Sequence, residues 1–129
     1  MKRWLAGSLL VVLAGVILAG VLLVSVINGN RDPIAVLQGH GGKIERNDQG
    51  DVVELKLAGT NITDTGLVHL KGFTKLEKLN LRFTKITDAG LVHLKGLTNL
   101  LQLILTDTQV TYAGVADLKK ASPNFYITQ

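Results

Sequence analysis

A 24-residue internal repeat is the feature that most constrains what this chain can fold into. Residues 57–80 read LAGTNITDTGLVHLKGFTKLEKLN and residues 81–104 read LRFTKITDAGLVHLKGLTNLLQLI, so 15 of 24 positions are identical. A more divergent third copy begins at Leu105. A unit of this length buries its apolar side only by stacking on its neighbours, and the period therefore predicts a solenoid.

Each copy contains the same predicted elements. A short strand has leucines at alternate positions, which places them on one face. A turn follows, and then a short helix that we expect to be capped by Thr63 or Thr87, or by the aspartate after each, and to end in a left-handed conformation at Gly72 or Gly96. The expected core comprises residues 55, 57, 62, 67, 70, 73, 76, 79, 81, 86, 91, 94, 97, 100, 103, 105, 110, 115 and 118.

The segment before the repeats predicts a cap for the first repeat. Asp32-Pro33 is a typical helix start, and the glycine-rich residues 39–42 would end that helix. Residues 43–46 and 52–57 flank a polar turn and read as a hairpin. We assign residues 31–42 to a polar linker and short capping helix, and residues 43–129 to the repeat domain with its hairpin cap, about three repeats and a final strand.

The N-terminus carries an uninterrupted apolar stretch over residues 5–27. A helix of that length is about 35 Å long, which is enough to cross a bilayer core, so residues 1–30 are predicted to be a transmembrane signal-anchor. Lys2 and Arg3 precede it, which favours a cytoplasmic N-terminus and an extracytoplasmic repeat domain. A cleaved signal peptide, giving a secreted protein, is the alternative.

The repeat resembles a known family. Its pattern LxxLxLxxTxITDxGLxxLKGLTxL resembles the 24-residue "TDxGL" type of bacterial leucine-rich repeat, and residues 121–127 are similar to the "LPN" ending of such arrays. The resemblance implies an α/β fold, a short leucine-rich-repeat solenoid with a parallel sheet on the concave side and helices on the convex side, in addition to the transmembrane helix. Threonines at 60, 84 and 108 replace the usual asparagine ladder, and we expect their hydroxyls to bond neighbouring backbone.

The resemblance also implies where a partner would bind. In this family the outward strand positions of the concave face carry recognition. The expected function is therefore a membrane-anchored module that binds a protein or peptide; the alternatives are a self-associating structural or envelope protein, which would be a homo-oligomer, and a secreted repeat protein without a dedicated ligand. The predicted partner-binding residues are Glu54, Lys56, Lys78, Asn80, Arg82, Phe83, Gln102, Ile104 and Thr106.

Other functions lack a motif. No catalytic set and no phosphate-binding loop is present, so we predict neither an enzyme nor a cofactor. His69, His93 and Asp117 share one column, but successive helices are about 8–10 Å apart, too far for three ligands on one metal ion. Residues 31–129 hold 12 basic and 10 acidic residues, which argues against a nucleic-acid partner. The chain has no cysteine.

Overall fold

A five-stranded sheet organises the part of the chain that the computed structural model describes, residues 32–129. Strand β1 pairs antiparallel with β2, and each later strand adds in parallel to the one before it. The predicted hairpin, parallel repeat strands and closing strand are all confirmed. In spatial order the strands are β1 (Lys43–Arg46), β2 (Val52–Lys56), β3 (Lys78–Asn80), β4 (Gln102–Ile104) and β5 (Tyr126–Thr128).

A capping helix precedes the repeats, and within the repeats the helices change from 3₁₀ to α-helix along the chain. Helix α1 (Pro33–Gly39) precedes the hairpin, as predicted. The first repeat contains only a 3₁₀ helix, Gly66–Gly72. The second has a single α-turn, α2 (Asp88–Leu91), which continues as the 3₁₀ helix Val92–Leu94, and the third has the ten-residue helix α3 (Tyr112–Ala121).

The predicted transmembrane helix over residues 5–27 lies outside the described residues. Within residues 32–129, no helix combines the length and the apolar character that crossing a membrane requires.

The core lies between the sheet and the helical side and follows the 24-residue period. Seventeen of the nineteen expected positions are buried, and Phe73 and Val110 are partly buried against them. Leu37 of α1 and Phe125 before β5 also enter the cluster, so apolar side chains near both ends of the described chain extend the repeat core. Burial of these leucines is the main favourable contribution to folding.

The predicted helix caps are correct in the second repeat and wrong in the first. The Thr87 hydroxyl accepts a hydrogen bond from the backbone N–H of Ala89, as an N-cap does. Thr63 caps nothing: its hydroxyl lies 2.9 Å from that of Thr65, and the 3₁₀ helix starts without a side-chain cap. Thr65 stands where the second repeat has Ala89, so a competing hydroxyl accounts for the difference.

The predicted left-handed helix ends at Gly72 and Gly96 are wrong. Neither glycine has a positive φ. Instead, Phe73 N–H donates to Leu70 O, and Leu97 N–H donates to Leu94 O, each at 3.0 Å. These i→i+3 hydrogen bonds tighten the last turn of each helix and direct the apolar residue after the glycine back towards the core.

The threonine column does not connect the repeats. The hydroxyls of Thr60, Thr84 and Thr108 donate to the carbonyl three residues earlier in their own repeat, at 2.7, 2.6 and 2.7 Å. The predicted hydroxyl bonds to neighbouring backbone are confirmed, but in the described chain they lie within each repeat. Each hydroxyl closes its own turn, which satisfies a backbone acceptor beside the core.

Aspartates form the connection between repeats. Asp64 accepts the backbone N–H of Thr87 at 2.8 Å and the Thr87 hydroxyl at 2.5 Å. Asp88 repeats both bonds on Thr111, at 2.7 and 2.6 Å. The Thr111 hydroxyl in turn accepts from Gly114 N–H at the start of α3. Each aspartate thus orients the N-cap of the next helix, and we call these two rungs the aspartate ladder.

The glycine of the repeat motif makes room for the aspartate ladder. A Cβ atom on Gly90 would overlap the Asp64 carboxylate and lie 2.9 Å from Leu67 Cδ1. A Cβ atom on Gly114 would overlap the Asp88 carboxylate in the same way. Thr, Asp and Gly in the motif therefore act together: the Asp of one repeat bonds the Thr and packs on the Gly of the next.

Candidate binding surface

The strand register aligns the predicted recognition columns. Glu54 pairs with Lys78 and Lys78 with Gln102, while Lys56 pairs with Asn80 and Asn80 with Ile104. The leucine between the two columns of each strand is buried, so the columns lie on the opposite side of the sheet. We call this side the open face, and it corresponds to the predicted concave face.

All nine predicted residues lie on the open face or directly after its strands, and none is buried. The backbone continues the strand pairing beyond β3, because Gly59 N–H donates to Arg82 O and Phe83 N–H donates to Thr106 O. These bonds bring the residues after the strands into the same register as the columns. The nine residues are Glu54, Lys56, Lys78, Asn80, Arg82, Phe83, Gln102, Ile104 and Thr106.

The hairpin end of the open face is neutralised by internal ion pairs. Lys56 contacts the Glu45 carboxylate and lies 3.5 Å from that of Glu54. The hydrogen bond and the charge of Lys56 lower the pKa of Glu45, and the hydrogen bond from Glu45 raises the pKa of Lys56. Both groups are exposed, so this network contributes little to stability. Its charges are largely compensated before any partner arrives.

The centre of the open face carries a stacked cation and aromatic ring. The Arg82 guanidinium lies 4.4 Å from the centre of the Phe83 ring, and its Nε lies 4.0 Å from an Asp107 carboxylate oxygen. The Phe83 side chain is 55% exposed, so the ring remains available on its other side. Lys78, at the start of β3 and four residues before Arg82, forms no ion pair among the described residues, although it contributes to the lowered pKa of Glu45.

The backbone at Phe83 is strained. Its φ is +57°, and the residues one repeat away, Gly59 and Asp107, have φ of +67° and +55°. Glycine suits this conformation, whereas a bulky side chain there costs about 1–2 kcal/mol. Phe83 does not recover that cost through burial. A strained and exposed aromatic residue of this kind is typical of a functional position.

The structure adds residues that the sequence prediction missed. Tyr126 of β5 pairs with Gln102, and Thr128 pairs with Ile104, so both columns extend to the last strand. Tyr126 is 70% exposed. The signal was present in the sequence, because these residues follow Gln102 and Ile104 by one 24-residue period.

The histidine column does not assemble a metal centre. Within residues 32–129, no three histidine, cysteine or acidic residues come close enough to hold a metal ion. His93 is partly buried, and its Nδ1 atom has no hydrogen-bond partner in the described structure. Asp117 instead pairs with Lys120 at 3.0 Å along α3. The column therefore offers no ligand set.

Comparison with protein families finds a match within the repeats. A family model for the Leucine Rich repeat matches residues 52–70 and 74–94, which include parts of the first two repeats. No curated protein matches the chain. The matched segments contain β2, β3 and the first aspartate rung. Together with the repeated strand, turn and helix geometry, these matches support a leucine-rich-repeat fold for this part of the chain.

Proposed function

We propose that this protein is a membrane-anchored interaction module whose open face binds a protein or peptide partner. Leucine-rich repeats generally serve protein interaction, and the matched segments supply two strands of this face, β2 and β3. The observation that carries the proposal is Phe83: an exposed aromatic ring, held in a strained conformation and stacked under Arg82. Stability alone favours glycine at this position, so binding is the better reason for a phenylalanine.

The chemistry of the face indicates how a partner would be held. The Phe83 ring supplies a rigid apolar surface of the kind that dominates binding energy at interfaces. Arg82 beside it and Lys78 on the same face favour a partner segment with a carboxylate near an apolar side chain. The paired charges of Glu45, Glu54 and Lys56 would contribute specificity at the rim more than affinity.

A peptide selection tests the proposed face. Random linear peptides would be selected on the immobilised 129-residue chain in mild detergent and then tested on variants. We expect Phe83→Ala, and separately Lys78→Glu with Arg82→Glu, to abolish binding of the selected peptides. Val92→Ala is the matched control, because Val92 is 57% exposed but lies on the helical side. Peptides that bind the face variants as tightly as the parent chain would show that the face is not the site.

The membrane part of the proposal is supported by the sequence of residues 1–30. An apolar stretch of this length after Lys2 and Arg3 favours an anchor with the repeats outside the cytoplasm. Digestion of intact cells with an external protease tests this topology. We expect the external protease to digest residues 31–129. Full protection in intact cells, with digestion only after lysis exposes the cytoplasm, would reverse the assigned orientation.

A further inference from the structure

The two edges of the sheet differ in their chemistry. Strand β1 carries the charged residues Lys43, Glu45 and Arg46, and its pairing with β2 shifts register between Glu45 and Arg46. Charges and bulges are the usual devices that prevent an edge strand from pairing with another chain. Strand β5 has neither: it reads Tyr-Ile-Thr and pairs with β4 in regular register. The β5 edge is therefore the one suited to accept another strand.

Backbone groups of one residue point away from the sheet at this edge. Tyr126 N–H donates to Leu101 O at 2.8 Å, and Leu105 N–H donates to Thr128 O at 2.7 Å. Successive residues of a strand direct their backbone groups to opposite sides. Because the backbone groups of Tyr126 and Thr128 point towards β4, the backbone N–H and C=O of Ile127 point away from β4, beyond the edge of the sheet. One donor and one acceptor on a single residue make this edge complementary to itself.

We propose that β5 pairs antiparallel with β5 of a second copy of this chain, around a two-fold axis at Ile127. The two Ile127 residues would exchange both of their outward hydrogen bonds. Tyr126 would then lie opposite Thr128 of the second copy, and an aromatic side chain opposite a β-branched one is a favourable cross-strand pair. The strand carries no charge, so a two-fold arrangement brings no like charges together.

The surroundings of β5 provide apolar area for the same contact. A cavity of about 410 Å³ at this end is lined by Leu105, Val110, Tyr112 and Gln129, among others. Tyr112 is 84% exposed, the highest value among the large apolar side chains described. Three strand residues alone bury less than the roughly 1,200 Å² of a standard stable interface. The dimer would therefore be weak, and a trapping experiment suits it better than a simple mass measurement.

Single cysteines test the register, because the chain has none of its own. Tyr126→Cys and Thr128→Cys would be prepared as separate full-length chains in mild detergent and oxidised alone and as a mixture. Residues 126 and 128 of opposite copies would form a non-hydrogen-bonded pair about 4.5 Å apart, within the range for a disulfide. Identical positions would lie about 7–8 Å apart on the diagonal, which disfavours a bond. We expect disulfide-linked dimer in the mixture and little with either variant alone.

Two controls keep the outcome decisive. Ala116→Cys, exposed on α3, measures random collision and any contact through the N-terminal segment. A mixture that links no better than the single variants or this control would overturn the proposal, and the edge would be open or occupied by another chain. In a second measurement, Tyr126→Lys with Thr128→Lys should abolish association, as should Tyr126→Glu with Thr128→Glu. Mixing the two charge variants should restore it; failure to restore it would also count against this register.

Discussion

The aspartate ladder makes a prediction that opposes ordinary helix propensity. Gly90 lies within α2, where alanine normally stabilises a helix by about 1 kcal/mol relative to glycine. In this fold the added methyl group must displace the Asp64 carboxylate from its position above the glycine. The displaced carboxylate loses its two bonds to Thr87, each worth at least about 1.5 kcal/mol for a charged acceptor. We expect Gly90→Ala to destabilise the fold by about 2 kcal/mol, since the loss of about 3 exceeds the gain of about 1.

A double-mutant cycle isolates the cause. Urea unfolding of the full-length chain, followed by far-ultraviolet circular dichroism, would be measured for Gly90→Ala, Asp64→Ala and the double variant. In the Asp64→Ala background, Gly90→Ala should be neutral or stabilising. The coupling free energy between positions 64 and 90 should therefore be about 3 kcal/mol. For a domain of this size, the single variant should lower Tm by roughly 10 °C. A Gly90→Ala protein as stable as the parent, or additive effects in the double variant, would refute the role assigned to the ladder.

Three further predictions concern other parts of the fold. Phe83→Gly should match or exceed the parent in Tm, whereas Phe83→Val should be less stable than the glycine variant by about 1–2 kcal/mol, because a β-branched residue is strained at positive φ. The Thr111 hydroxyl and then its N–H hold the pKa of Asp88 below its ordinary value of 3.8. The ionised Asp88 carboxylate therefore stabilises the fold fully above pH 3.8, and this contribution is lost as the pH falls through the lower folded pKa. Thr111→Val removes the hydroxyl bond, so the unfolding midpoint of this variant should decline less than that of the parent below about pH 4. Leu79→Ala, at a core position 1% exposed, should cost about 2–5 kcal/mol, and Leu101→Ala, 57% exposed, should change stability by less than about 0.5 kcal/mol; equal losses in the two would contradict the assigned core.

The repeat period predicted what depends on spacing alone. An offset of 24 residues places Leu55, Leu79 and Leu103 in one buried row, and it also predicts the strand pairs Glu54–Lys78 and Lys78–Gln102. Strand register follows from period because each repeat forms one turn of the solenoid. The period therefore locates the open face from sequence, and one further offset of 24 residues from Gln102 and Ile104 reaches Tyr126 and Thr128 on its last strand.

The contacts between repeats were not predictable in the same way. Asp64 bonds Thr87, 23 residues further on, and a motif that recurs unchanged does not reveal whether its members meet within one repeat or across two. From sequence, the aspartate is predicted to have at most a capping role in its own helix. The positive φ of Phe83 and Asp107 was not predictable, because non-glycine residues in this conformation have no signature of their own in sequence. The one indication is Gly59, which occupies the equivalent position of the first repeat.

The divergence of the third repeat follows from which neighbour each residue faces. Thr111 and Gly114 contact Asp88 of the second repeat, and both motif residues are retained. The ladder aspartate, which reaches forward from its own repeat, is replaced by Tyr112, 84% exposed beside the cavity near β5. The third repeat thus keeps the residues that bond backward and differs at the one that would bond forward. An exposed tyrosine in place of a ladder aspartate removes a carboxylate from that side of the repeat and adds an aromatic ring next to the uncharged edge of β5.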